Sequence, residues 1–163
     1  MTSQQKVSRR TIAKGAAWSV PVVAVAAAAP AASASTTTDV GAYHIDGTCG
    51  VLGVLGPGFT LTAGSAPLPA GTVININGGG IANIGVFSVT GGTASVAVLS
   101  PTSRSITLTA PLAAGAQMAF RTTLSISVAF TLNAATVLPA GYTATGAKPA
   151  GSVTATLVLC SGA

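Results

Sequence analysis

The sequence predicts an all-β chain: a single antiparallel β-sandwich standing behind a removable leader. Three observations carry this. From Phe59 onward apolar residues recur at every second position, which sends alternate side chains to opposite faces of a strand. Turn-forming glycines and prolines punctuate these runs. The N-terminal 34 residues differ in composition from the rest, since four of the seven basic residues lie there, ahead of a long apolar run.

That leader has the three parts export requires. Lys6, Arg9, Arg10 and Lys14 give a basic start, Gly15 to Ala29 an apolar centre, and Ala32-Ser33-Ala34 small residues for a peptidase. Ser8-Arg9-Arg10-Thr11-Ile12-Ala13-Lys14 resembles the twin-arginine consensus S-R-R-x-F-L-K, with Ile12 for the aromatic and Ala13 for the leucine. Arg9 and Arg10 are then the export signal, and Ala32 and Ala34 flank the cut. The stretch from Arg9 to Ala29 is similar to the leaders of a group of actinobacterial exported proteins. The resemblance covers the leader alone and implies a compartment, secreted or extracellular with cell-wall association as one form of it. About 15 alanine-rich residues fall short of the ~20 that span a bilayer, so no stable membrane span is expected after cleavage.

Cleavage after Ala34 defines two segments, a signal peptide over 1–34 and a domain over 35–163, which is 129 of the 163 residues and one ordinary domain in size. The formal net charge of +5 belongs mainly to the leader. The domain holds three cations, Arg104, Arg121 and Lys148, against Asp39 and Asp46. With no basic run and no stacking aromatics beside one, a nucleic-acid partner is not expected. Five charged side chains are far fewer than the ~25% of an ordinary soluble domain, so solubility rests on hydroxyls and exposed backbone.

Individual strands follow from the alternation. Phe59 and Leu61 sit between Thr60 and Thr62; Ile74 and Ile76 alternate with Val73, Asn75 and Asn77. Further strands are expected over Val86 to Thr90, Ala94 to Leu99, Ile106 to Ala110 and Val153 to Cys160. The longest runs from Phe120 to Asn133, with Thr122 the one break in its apolar face. Eight or nine such strands fit an immunoglobulin-like sandwich. Pro69-Ala70-Gly71, Pro139-Ala140-Gly141 and Pro149-Ala150-Gly151, with Ala113-Ala114-Gly115 as a decayed copy, suggest recurring type I turns with Pro second and Gly fourth. An outer-membrane barrel also alternates, but it needs aromatic girdles that the six scattered aromatics after the leader do not supply.

Cys49 and Cys160 are the only cysteines, and export places them where disulfides persist. A bridge between them would tie the start of the domain to its last strand. Two cysteines cannot make the usual four-ligand zinc site.

Chemistry has few candidates. The sequence lacks Glu, has one His, and shows no common nucleophile or phosphate-loop pattern. Asp39 and Asp46 are expected in a loose N-terminal segment, a poor base for paired-carboxylate hydrolysis. His44 and Asp46 share strand parity and make the sharpest ligand pair, lacking a third and fourth ligand. Arg104 and Arg121 form an acidic-ligand site only if the fold joins them; otherwise they are surface cations. Asn75, Asn77 and Asn83 offer the only clustered amides. T-x-T units at Thr60, Thr107, Thr143 and Thr154 lack a fixed period and fit ordinary outward-facing threonines. The expectation is a secreted or surface module without catalytic residues, cofactor or metal, which binds an unidentified surface or protein partner. The alternatives are a self-assembling, pilin-like subunit and, behind it, a barrel or weak hydrolase.

Overall fold

A computed structural model describes residues 36–50, 56–80, 83–124, 129–156 and 159–163, so Arg9, Arg10, Ala32 and Ala34 lie outside the described residues. Twelve strands are described, and no helix. They are β1 (Thr38–Asp39), β2 (His44–Thr48), β3 (Gly58–Thr62), β4 (Val73–Gly79), β5 (Ile84–Thr90) and β6 (Ala94–Ser100). Then follow β7 (Ser103–Leu108), β8 (Gln117–Leu124), β9 (Phe130–Val137), β10 (Tyr142–Thr143), β11 (Ala150–Ala155) and β12 (Cys160–Gly162). Two antiparallel sheets hold most of them, a six-stranded one in the order β12-β11-β9-β4-β7-β6 and a four-stranded one in the order β2-β3-β8-β5. The short β1 and β10 pair parallel, a local exception to the antiparallel expectation.

The alternation read from the sequence supplies the core. Ile45, Phe59, Leu61, Ile84, Met118 and Phe120 face inward from the four-stranded sheet. Ile74, Ile76, Ile106, Leu108, Leu132 and Val153 face them from the six-stranded one. Each side chain of this size contributes roughly 1.5–3 kcal/mol by leaving water. The interior is packed with side chains and the strands do not close into a ring, which sets the barrel alternative aside.

Several expected boundaries shift for physical reasons. The strand expected from Phe120 to Asn133 is two strands in different sheets, β8 pairing with β3 and β5, and β9 with β4 and β11. At about 3.3 Å per residue one strand of that length would run ~45 Å, well beyond the paired length of its neighbours. Inward parity is the same on both sides of the crossing, and Thr122, the expected break, is itself buried. Likewise Val153 to Cys160 divides into the β11–β12 hairpin, where Thr156 N donates to Leu159 O at 2.8 Å.

The Pro-Ala-Gly turns are corrected in type. Thr72 N donates to Pro69 O and Tyr142 N to Pro139 O, both at 3.3 Å, so Pro is first and Gly third. Gly71 and Gly141 take φ of 85° and 86°, the positive angle a type II turn requires at that position. Ala113-Ala114-Gly115 turns in the same way, with Ala116 N bonded to Ala113 O at 3.0 Å. Pro149 instead accepts from Thr136 N at 2.7 Å, and Ala150 opens β11.

One flank of the sandwich is shut. Gly47 N on β2 donates to Ala163 O at 3.0 Å, and Ile45 N to Lys148 O at 3.1 Å, which joins β2 to the chain around β11 and β12. Gly47 permits this approach, because a Cβ there would lie 1.9 Å from Ser152 O. Just beyond β2, Cys49 is bonded to Cys160 at the start of β12 with a Cα–Cα distance of 5.9 Å. The opposite flank ends in β5 and β6, each paired on one side only.

Candidate functional site

Strand parity brings His44 and Asp46 together, with Nε2 3.6 Å from Oδ2. The third member is a cation. Lys148 Nζ lies 2.8 Å from Asp46 Oδ1, carried there by the backbone bonds that Lys148 makes to Tyr43 and Ile45. All three side chains are about half exposed, so the pairs are screened and contribute ~0–1 kcal/mol each. A lysine ammonium at this spot repels a metal ion. Among the described residues no three His, Cys, Asp or Glu groups gather in metal-binding distance.

The expected loose N-terminal segment is ordered strand. Asp39, on β1, accepts from Gly41 N at 2.8 Å and from Thr145 N at 3.0 Å. Hydrogen bonding from the Thr145 side chain first, and then from the Gly41 and Thr145 amides, holds its carboxyl below the ordinary carboxylate value. Asp39 thus clasps the turn after β10, while Asp46 is engaged by Lys148. The two carboxylates serve separate contacts.

Arg104 and Arg121 do not converge. Arg104 sits on the inward face of β7 at 6% exposure, correcting the surface-cation expectation. Its guanidinium donates to the main-chain carbonyls of Ser100, Ser103 and Ile84 and to Asn83 Oδ1. Asn83 is thereby engaged by Arg104. Arg121 stands on β8 in the other sheet, at the parity opposite to the inward Phe120 and Thr122.

On the outer face of the six-stranded sheet, cross-strand register lines up Ser152, Asn133, Asn77 and Ser103 in one row. Ser103 Oγ donates to Asn77 Oδ1 at 2.8 Å. A shallow depression of about 400 Å³ lies over Asn75, Asn77, Asn133 and Ser152, with Lys148 at its rim. It is open, and its outer-face amides can contact a ligand.

The strongest feature is one the periodicity hides. Along β6, Val96 and Val98 register opposite Ile106 and Arg104 and so share their inward face. Ile106 and Arg104 are buried, yet Val96 is 37% exposed and Val98 70%. The four-stranded sheet therefore stops short of β6. Leu99 on the other face is 63% exposed, at a break in register between Val98 and Ser100. The strand, Ala-Ser-Val-Ala-Val-Leu-Ser, has no charge and no proline. Val137, Tyr142 and Leu159 are exposed elsewhere, but they do not share a strand.

No family model matches the chain, and no curated protein matches it.

Proposed function

We propose that this chain is an exported, non-enzymatic module that works outside the cell, at or near its surface, by pairing its β6 edge with an extended strand of a protein partner. The observation that carries this reading is Val98, 70% exposed on an edge strand that carries neither a charge nor a proline. Natural sheets blunt their edges with charges, prolines or covering loops, because unpaired N–H and C=O groups invite another strand. An apolar edge kept open is suited to strand addition, in which main-chain bonds give affinity and alternate side chains give selectivity.

Supporting the compartment are the Ser8 to Lys14 motif, the small residues at Ala32 and Ala34, and a disulfide that reducing compartments disfavour. Supporting a non-enzymatic role is the use of Asp39 and Arg104 in holding the fold together. His44, Asp46 and Lys148 satisfy one another on an exposed face.

The test is expression of the full chain in a bacterium with twin-arginine export, with the domain followed by antibody. The expected result is a processed protein retained on the cells, while a Val98→Lys, Leu99→Lys variant of unchanged melting temperature is shed into the medium. Equal retention of the variant overturns the edge reading. Export unaffected by Arg9→Lys with Arg10→Lys overturns the twin-arginine route.

A further inference from the structure

Resting on the strand-addition reading, the geometry points to a second copy of this chain as the partner, with the two β6 strands paired antiparallel about a two-fold axis through Ala97. The phase of the edge is fixed by its neighbours. Leu108 N donates to Thr72 O at 2.9 Å on the β4 side, and Thr109 N to Thr93 O at 3.1 Å on the β6 side. In an antiparallel ladder the hydrogen-bonded pairs alternate. Thr93, Ser95 and Ala97 thus spend their peptide groups on β7, and Ala94, Val96 and Val98 turn theirs outward.

Ala97 is the middle residue of Ala94–Ser100. Pairing about it sets Val96 of each copy opposite Val98 of the other, with the register break after Val98 at each end of the joint. Both residues present free N–H and C=O groups, so these pairs form the hydrogen-bonded rungs. Opposed residues in an antiparallel pair share a face. Four valines then cover one another on the side the four-stranded sheet leaves bare. Pairing about Val96 or Val98 instead sets a valine opposite Ala94 or Ser100 and leaves one end unmatched. No charge opposes its own copy in any of these arrangements, and a two-fold contact of this kind closes by itself.

A joint of one strand per copy is smaller than the ~1,600 Å² of a standard stable interface, so it is concentration-dependent. Local crowding of copies at a surface favours it.

The experiment uses the processed domain with its disulfide intact. Sedimentation equilibrium should show a mass rising from monomer to dimer with concentration, and Val98→Lys should weaken the dimer by about tenfold or more. Ala97→Cys should oxidise to a covalent dimer bridged from the substituted position of one copy to that of the other, mapped by mass spectrometry with Cys49–Cys160 retained. Ser95→Cys and Leu99→Cys should each fail alone and cross-link when mixed, because Ser95 and Leu99 face each other across the axis. A strict monomer overturns the second copy as partner; if cell retention still depends on Val98 and Leu99, strand addition to another protein stands. A dimer that cross-links through Ser95→Cys alone, or that ignores Val98→Lys, overturns the two-fold at Ala97.

Discussion

Arg104 on β7 donates a hydrogen bond across the sandwich to the main-chain carbonyl of Ile84 on β5, joining the two sheets at the flank that the disulfide leaves unsealed. Ile84 N returns a bond to Pro101 O at 2.8 Å, in the turn between β6 and β7. The closed flank is held by covalent and backbone bonds, and this one by a buried guanidinium feeding carbonyls together with the Ile84–Pro101 backbone bond.

Replacing that guanidinium strands the carbonyls it serves. Arg104→Met should cost about 2–4 kcal/mol, read as a lower urea midpoint, since buried acceptors lose a charged donor. Arg104→Lys should recover only part of this, because one ammonium cannot reproduce the planar fork that reaches Ser103 and Ile84 together.

The disulfide closes 111 residues of sequence. On the chain-entropy model, opening a loop of that size costs about 5 kcal/mol. Reduction, or Cys49→Ser with Cys160→Ser, should lower the urea midpoint accordingly, and an unchanged midpoint would mean the core stands without the bridge.

Two glycines near the ends of their strands should respond in opposite ways. Gly47→Ala puts a methyl 1.9 Å from the Ser152 carbonyl and should cost about 2 kcal/mol or more by prising β2 from β11. Gly79→Ala meets nothing within 4 Å and should leave the melting temperature unchanged or slightly raised.

Asp39 gives the fold an acid dependence of defined sign. Its carboxyl is held below its ordinary value of 3.8, so its ionised form favours the folded state. That contribution is complete above the ordinary value and disappears as pH falls through the lower folded one. Asp39→Asn should lower the melting temperature at neutral pH, and the gap from the parent should close as pH falls below the ordinary carboxylate value. A gap that persists in acid would contradict this.

Much of the fold was legible because period two is a local signal. Phe59 and Leu61, Ile74 and Ile76, and Ile106 and Leu108 alternate in sequence and are buried as pairs. Parity alone cannot tell how far the opposite sheet extends. Val96 and Val98 alternate as well as Ile74 and Ile76 do, and only the placement of β5 decides which pair is covered. The same blindness hides the crossing between β8 and β9, where inward parity is unbroken. Arg104, set between Ser103 and Ser105, has the local appearance of an outward cation. Its burial depends on carbonyls that the β6–β7 turn and Ile84 bring to it. Of the candidate site residues, Cys49 with Cys160 and His44 with Asp46 followed from counting and parity. Lys148, which completes the latter, is 102 residues away from Asp46 and left no local trace. The lack of charge and proline in β6 was no signal by itself, because β4, β5, β9 and β11 share it.

The account stands on β6 being an open edge used for pairing, and residue-resolved amide exchange measures that directly. In dilute processed protein the amides of Val96 and Val98 should exchange fast while that of Ala97, bonded to β7, is protected; raising the concentration should slow the outward-turned amides, Val96 and Val98 foremost, and leave Ala97 unchanged. Val96 and Val98 protected as strongly as Ala97 in dilute protein would contradict it.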